Sequence, residues 1–582
     1  RKLDQMQIVI HVKDPSLNLM EVSWKSDPGA AIYGLGEQFS HVDFQGHKVR
    51  LIPEENGIGR GDKGVTGIAK LGGAAGDEHT TYCPIPWMMT DKGRGVFVAN
   101  TAPLHFDFSE KGRVTLQTLG DSLVLEVWQK EKPLDLLEAF SEKNGRFRVL
   151  PDWAWGTWLG IQGGPEKCRK AVAEAKAAGN PVTAIWIQDW VGKRKTPYGS
   201  RLFWHWEANE DAYPNLKDFI AEMNAQGVHV LGYINPFLAE ESALFETARD
   251  HLVRDVSGQP LSIPAGGFKA YQFYVGDTAQ YLVDLIHRNM IDLGFSGWMA
   301  DFGEWYPAEA APIPGRPWLH MHNDYPVQWQ ATNREALHTH PKGDSLIFFS
   351  RSGYRYTGRY AALYWAGDQM TSWGEHDGLP SAVTALISGG LSGIALNHAD
   401  IGGYTNIHLP ILKVTREAEL FQRWAEFAAF TPIFRTHEGL QPERNVQPWT
   451  NPDIASHFAR MGQLHHALRP YLRHLNRQAA QKGWPMVRHL WLHYPDDPEV
   501  RHLKSQFLLG EDLLVLPVLE PGTETVRGYF PEGKWAHLLT GAQVDGGQWL
   551  EVSAPIGTPA AYVKVGSAWE ARLQNAVREA LH

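Results

Sequence analysis

Trp298-Met299-Ala300-Asp301-Phe302-Gly303-Glu304 is an apolar run that stops at a carboxylate and turns on glycine. Sixty-seven positions later Leu363-Tyr364-Trp365-Ala366-Gly367-Asp368 repeats the pattern. Each reads as a buried strand delivering an acid to the rim of a parallel barrel, the end where active sites of such folds gather. Two such acids facing one pocket are the equipment for breaking a glycosidic bond.

Working outward, the same rhythm of strand, loop and helix begins near Trp153. Trp158-Leu159-Gly160-Ile161 is followed by a helix entered at Pro165 and closed by Gly179, the usual asymmetry of helix ends. Thr183 to Ile187 leads to a helix with Leu216, Phe219, Ile220 and Met223 on one face, stopped at Gly227. Val228 to Tyr233 is the third strand. After an insertion, Asp277 is placed to cap a helix carrying Leu282, Leu285, Ile286, Met290 and Leu293, with Gly294 beyond it. The run above supplies strand four, residues 346–349 strand five, the Asp368 run strand six, residues 393–396 strand seven and residues 432–434 strand eight. Eight strands with intervening helices predict a (β/α)8 TIM barrel; a doubly wound sheet is the alternative. Residues 1–150 alternate apolar and polar between turn signals and predict an N-terminal β-sandwich. The barrel is assigned to 151–483, with an insertion after strand three and a polar helical stretch at 453–481. Residues 484–582 read as a small C-terminal β-domain.

Composition excludes several classes. The 582 residues carry 55 basic against 65 acidic groups, a net charge of −10 without long like-charge runs, so no nucleic-acid partner is expected. No run reaches the roughly 18 apolar residues of a membrane span. Two cysteines rule out a disulfide scaffold and fit a reducing, cytoplasmic setting. No signal peptide is visible, although the chain opens on Arg1 rather than Met. Oligomerisation is left open. The 23 tryptophans are chiefly core, with a minority available to line a sugar pocket.

In a barrel the polar residues at strand ends converge on one mouth. Here these are Gln162, Gln188, Asp189, Asn235, Asp301, Arg351, Asp368, His398, Asp400, Arg435 and His437. A single strand-end Asp often only caps the next helix, but eleven polar residues at one face define a pocket. Two carboxyls can divide the work when their surroundings separate their pKa values: the ionised one attacks the anomeric carbon and the protonated one serves the leaving oxygen. Spacing does not decide which is which.

These motifs, with Tyr33-Gly34-Leu35-Gly36-Glu37-Gln38, Arg351-Ser352-Gly353, His398-Ala399-Asp400-Ile401-Gly402-Gly403-Tyr404 and Arg435-Thr436-His437-Glu438-Gly439, resemble glycoside hydrolase family 31 over nearly the whole chain. The resemblance implies that Asp301 is the nucleophile and Asp368 the acid/base, with retention through a covalent glycosyl-enzyme. It also implies that Asp189, Arg351 and His437 hold sugar hydroxyls. One departure is informative. The family's α-glucosidases follow the nucleophile with Met-Asn-Glu or similar and end strand two in an Asp-x-Asp pattern. This chain has Phe302-Gly303-Glu304 and Trp186-Ile187-Gln188-Asp189-Trp190, then a loop with Arg194, Arg201, Trp204 and Trp206. That pattern is similar to the sulfoquinovosidase branch, which releases sulfoquinovose from α-sulfoquinovosides such as sulfoquinovosyl glycerol. The likeness implies a sulfonate held by Gln188, Arg201, Trp204 and, through water, Tyr404, with Gln162 in the same signature.

The chemistry fits. A sulfonate is a permanent anion with acceptors only, so a guanidinium with indole and amide N–H donors matches it. A neutral 6-hydroxyl would leave Arg201 unpaired in a closed pocket, at about 3–5 kcal/mol. Without the resemblance, Arg194 and Arg201 read as a solvated loop and Trp204 and Trp206 as core; with it, only Arg201 and Trp204 are reassigned. A metallohydrolase is disfavoured because the first strand offers Gln162 rather than a His pair, so no metal and no cofactor are expected. The remaining alternatives are a neutral-sugar α-glucosidase or α-xylosidase and a non-catalytic sugar-binding protein. The Tyr33–Glu37 segment is expected to reach from the sandwich toward the barrel mouth.

Overall fold

A computed structural model describes residues 4–14, 17–55, 57–61, 66–67, 69–70, 75–196, 199–264, 268–276, 279–313, 317–409 and 412–581. Asp277, the expected helix cap, lies outside them.

The N-terminal part is a sandwich of two antiparallel sheets. One runs Gln5–His11, Ser122–Gln129, Arg94–Val98, Trp87–Thr90 and Ile32–Gly34, and the other Leu19–Lys25, Arg113–Leu119, Leu104–Asp107 and Lys48–Leu51. Alternation along Arg113–Leu119 turns Val114, Leu116 and Thr118 inward, where the first two meet Val96, Leu104 and Phe106. A helix, Pro133–Asn144, then leads to the barrel.

Eight parallel strands form one sheet ordered seven-six-five-four-three-two-one-eight. They are Thr157–Gly160, Val182–Trp186, His229–Ile234, Gly297–Ala300, Ile347–Ser350, Leu363–Trp365, Asn397–His398 and Phe434–Arg435. Strands seven and eight meet through the parallel bridge Ile401↔Thr436, which nearly closes the barrel and excludes the doubly wound alternative. The first six strands fall where periodicity puts them. Strand seven does not: Gly393, at φ +83°, ends the helix Leu379–Leu391, and the run 394–396 is an apolar approach whose ladder starts only at Asn397. The helix Leu216–Ala225 buries Leu216, Phe219, Ile220 and Met223 as expected. Leu282, Leu285, Ile286 and Met290 are buried on Ala279–Ile286 and its wider-wound continuation His287–Ile291, whereas Leu293 is half-buried.

The insertion after strand three is a small antiparallel sheet of Phe237–Ala239, Lys269–Gln272 and Ser262–Pro264. A hairpin after strand two pairs Lys193–Thr196 with Gly199–Leu202, setting Arg194 opposite Arg201. The polar stretch after strand eight is two helices, Pro452–Ala467 and Arg469–Lys482. The C-terminal part is a six-stranded antiparallel sheet with a two-stranded ribbon. It also ends in a helix, Glu570–Leu581, with Leu573 and Val577 buried, which the sequence reading took as part of an all-β unit.

Tyr33–Glu37 reaches the barrel beside strand seven, with no bond to either strand-end acid among the described residues. Gly36 and Gln38 bond to Ser388 and Ser392 on the flank of the helix Leu379–Leu391, and Asn397 donates to Glu37 at 2.6 Å. The segment supports its neighbour instead: the Glu37 N–H donates to Cys83 O at 3.0 Å, beside Tyr82.

Candidate active site

Strand four stops at Asp301 because the backbone reverses there. Phe302 and Gly303 both have positive φ, +58° and +93°. Strain of this kind in a non-glycine residue collects at functional sites. A Cβ on Gly303 would also come within 2.8 Å of Trp329. The turn aims the Phe302 N–H back at Asp301 Oδ1, 2.8 Å away, while Ser352 Oγ donates to Phe302 O at 2.6 Å. On its other oxygen Asp301 accepts the Tyr233 hydroxyl at 2.6 Å, and Asn235 donates to that same hydroxyl oxygen at 3.2 Å.

Asp368 ends strand six after Gly367, at φ +73°, whose missing Cβ would lie 2.3 Å from the Tyr82 ring. Only glycine permits that approach. Asp301 and Asp368 meet on one buried guanidinium. Arg351, 1% exposed, sets Nε 3.2 Å from Asp301 Oδ1 and Nη1 3.1 Å from Asp368 Oδ2. Its Nη2 reaches Glu304 at 2.7 Å and Glu55 at 3.2 Å. Four carboxyls therefore share one cation. Burial pushes Asp368 up to about 7, with Arg351 opposing and Asp301, Glu55 and Asp400 adding to the rise. Burial pushes Glu304 up to about 8, again against the pull of Arg351.

His437 sits 4.8 Å from the Trp186 ring and 4.6 Å from the Tyr404 ring. Its Nδ1 accepts the Gly439 N–H at 2.8 Å, and burial, Arg435 and Arg416 hold its pKa well below the usual imidazole value. The ring is thus neutral and carries its hydrogen on Nε2, a donor suited to a hydroxyl. His398 is locked between the Tyr364 carbonyl at 2.7 Å and the Arg435 Nε–H at 2.8 Å, and Asp400 bonds Arg435. That trio is buried scaffolding, and both His398 nitrogens are engaged.

The hairpin residues lie over the same end. Trp204 stacks on Phe237 at 5.1 Å and meets Phe302 edge-on at 5.6 Å, so the Phe in the atypical Phe-Gly-Glu run joins the hairpin to the strand-four acid. Burial drives the Tyr404 phenol upward, Asp368 adds to this, and the Arg201 cation opposes it, which puts Arg201 within electrostatic reach of Tyr404. Arg201 itself is exposed, and among the described residues its guanidinium has no hydrogen-bond partner. The closed pocket and buried unpaired charge expected at Arg201 are therefore not found; the exposed guanidinium is open to water until a ligand covers it. Arg194 is instead held 4.0 Å from both the Phe203 and Phe268 rings, with Glu241 at 3.1 Å. Trp206 is core, donating to Phe237 O at 2.8 Å. Gln162 and Gln188 follow strands one and two directly. Asp189 already accepts the Gly163 N–H at 2.9 Å and the Tyr213 hydroxyl at 2.6 Å, so its first role is to hold the strand-one loop.

Sequence reasoning left four contributors unassigned. Tyr233 and Glu304 were in view, as a polar tip near the end of strand three and as the close of the quoted run. Glu55 and Tyr82 gave no signal because they come from the sandwich; the Arg351 guanidinium lies 4.7 Å over the Tyr82 ring.

Family models match in three stretches: a glycosyl hydrolases family 31 TIM-barrel domain over residues 147–475, the family's C-terminal domain over 483–568, and its N-terminal galactose mutarotase-like domain over 12–107. The chain belongs to glycosyl hydrolase family 31. Among family 31 relatives, a sulfoquinovosidase of Escherichia coli strain K12 is 38% identical, over 98% of this chain and 84% of that protein. One from Agrobacterium fabrum is 35% identical, over 97% and 86%. The solved structure of a family 31 sulfoquinovosidase from E. rectale, in complex with an aza-sugar inhibitor, superposes with a TM-score of 0.95 at 32% identity, covering 98% of this chain and 86% of that one.

Proposed function

We propose that this family 31 glycoside hydrolase is a retaining, exo-acting α-glycosidase that hydrolyses α-sulfoquinovosides and releases sulfoquinovose. One observation carries the chemistry: Asp301 and Asp368 sit on the same guanidinium, within reach of one anomeric centre. Asp301, held by donors on both oxygens, attacks the anomeric carbon as the C–O bond to the aglycone breaks. Asp368, its pKa raised to about 7, transfers its proton to the departing oxygen. It then takes a proton from the water that cleaves the glycosyl ester, so the sugar keeps its anomeric configuration. His437 and Asp189 are assigned to sugar hydroxyls, Asp189 through lone pairs beyond those that hold the strand-one loop, while Arg351 chiefly lets the clustered acids share the pocket.

The hairpin supports the sulfonate. Arg201 lies on the hairpin after strand two, Trp204 just beyond it meets Phe302 beside Asp301, Gln188 and Gln162 follow strands two and one, Tyr404 packs against His437, and the relatives named sulfoquinovosidase match over nearly the full chain. A charge-assisted hydrogen bond from a guanidinium is worth about 1.5–3 kcal/mol, or roughly 10- to 150-fold in selectivity. This is below the closed-pocket figure because Arg201 is solvated when the site is open. The division at 150/151 and 483/484 and a cytoplasmic setting belong to the same proposal. Among the described residues no helix is long and apolar enough to cross a membrane.

The test crosses sulfoquinovosides with the matching glucosides, using NMR to follow the first-formed anomer. Sulfoquinovoside is expected to be the better substrate, with the α-anomer released first. Arg201→Ala should lower kcat/KM for the sulfonated substrate roughly 10- to 150-fold and leave glucoside turnover within a few-fold. A wild-type preference for glucoside would replace this reading with that of a neutral-sugar α-glucosidase.

A further inference from the structure

Away from the barrel mouth, the sandwich gathers three imidazoles around one carboxylate. We propose that His41, His47 and Glu78, with His79 beside them, bind a divalent transition-metal ion of the zinc type. Donor atoms of His41, His47 and Glu78 all lie within 4.8 Å of one another. His41 Nε2 is 2.9 Å from Glu78 Oε2, while His47 Nδ1 and His79 Nε2 are 3.8 and 3.5 Å from Oε1. The rings crowd together, with centroids 4.3 Å apart for His41 and His47 and 5.3 Å for His47 and His79.

A second observation is independent of this proximity. His79 is 10% exposed, and both its ring nitrogens are buried without a hydrogen-bond partner. Buried polar atoms are rarely left unmet, and such orphans mark the place of an ion or water. A cation about 2.0–2.1 Å from an imidazole nitrogen would meet the lone pair. His41, His47 and Glu78 offer three donors of the kinds zinc takes, with His79 Nε2 3.5 Å from the carboxylate as a fourth, whereas calcium and magnesium prefer all-oxygen sites.

The surroundings keep the ligands available. All three rings face Glu78, whose side chain is 46% exposed and open to an incoming ion. Glu78 and Asp77 favour positive charge at His79, while Lys504 opposes it at His41. Lys504 is itself held by Glu375 at 2.8 Å and by the Ser40 carbonyl. An ion here would tie the 41–47 turn to the loop at 75–80, which runs directly into Tyr82. The spacing of 41, 47, 78 and 79 matches no short metal motif, so the cluster appears only in the fold. The site does not depend on the sugar chemistry.

The test uses untagged full-length protein stripped with a chelator and titrated with Zn2+ against a chromophoric competitor, followed by metal analysis after gel filtration. One retained equivalent with micromolar or tighter Kd is expected. Glu78→Gln, close in volume to the native residue, should weaken binding at least tenfold. His47→Gln, at a side chain about a quarter exposed, should do the same. The His47 variant provides the second reading should the Glu78 variant misfold. No retained zinc at tens of micromolar, or equal retention by wild type and both variants, would overturn the site.

Discussion

Replacing Asp368 with Asn should make the protein less active and more stable, and the two effects have one cause. Burial is the main reason its carboxyl titrates at about 7 rather than 3.8. Because the folded-state pKa is raised, the native protein holds this proton more tightly than the unfolded chain does. The stability this confers is complete below about pH 4 and drains away as pH climbs toward 7. At 1.36 kcal/mol per pH unit, the loss by pH 8 is on the order of 4 kcal/mol. The side chain is 32% exposed, so solvent screening reduces the expected figure to about 1–3 kcal/mol. Asn has no proton to lose and can still offer its oxygen to Arg351. In denaturant unfolding the variant should therefore exceed wild type by about 1–3 kcal/mol at pH 8, with the gap closing toward pH 4–5. Hydrolysis of substrates with alkyl leaving groups should fall by roughly 10²–10⁴, and far less for a weakly basic aryl leaving group. A stability difference that is absent, or the same at pH 5 and pH 8, would refute the reasoning about burial. An equal loss for both leaving groups would refute the acid role.

Glu55→Gln removes an anion that raises the Asp368 pKa, so the alkaline limb of kcat/KM should move to lower pH, read from a pH–rate profile. Arg351→Met leaves clustered carboxyls without their shared cation. A loss of about 3–5 kcal/mol is expected, smaller at acid pH where the carboxyls take up protons, and measured by unfolding at pH 5 and pH 8. Gly367→Ala must place a methyl 2.3 Å from the Tyr82 ring at φ +73°; turnover should fall more than tenfold while the melting temperature drops only a few degrees.

Much of this arrangement was legible because strand ends are written locally. The apolar runs ending at Asp301 and Asp368 needed only the period of a buried strand and a glycine turn to be recognised. Strand seven slipped because an apolar approach and a hydrogen-bonded strand have the same composition, and only the ladder beginning at Asn397 separates them. The terminal helix Glu570–Leu581 was lost because it buries just Leu573 and Val577, too narrow a stripe to stand out. Arg201 was assigned to the right end of the barrel, yet its exposure depends on what covers the hairpin, which no spacing encodes.

The chain by itself determined the barrel and the two acids, since each follows from residues within one strand and its following loop; the cationic hairpin gained a role only through the family resemblance. Folding alone decided that Glu55 and Tyr82 of the sandwich reach Arg351, that four carboxyls share its charge, and that His41, His47 and Glu78 converge. Those contacts join positions tens to hundreds of residues apart. Their energies depend on distance and exclusion of water, and both exist only once the domains have packed.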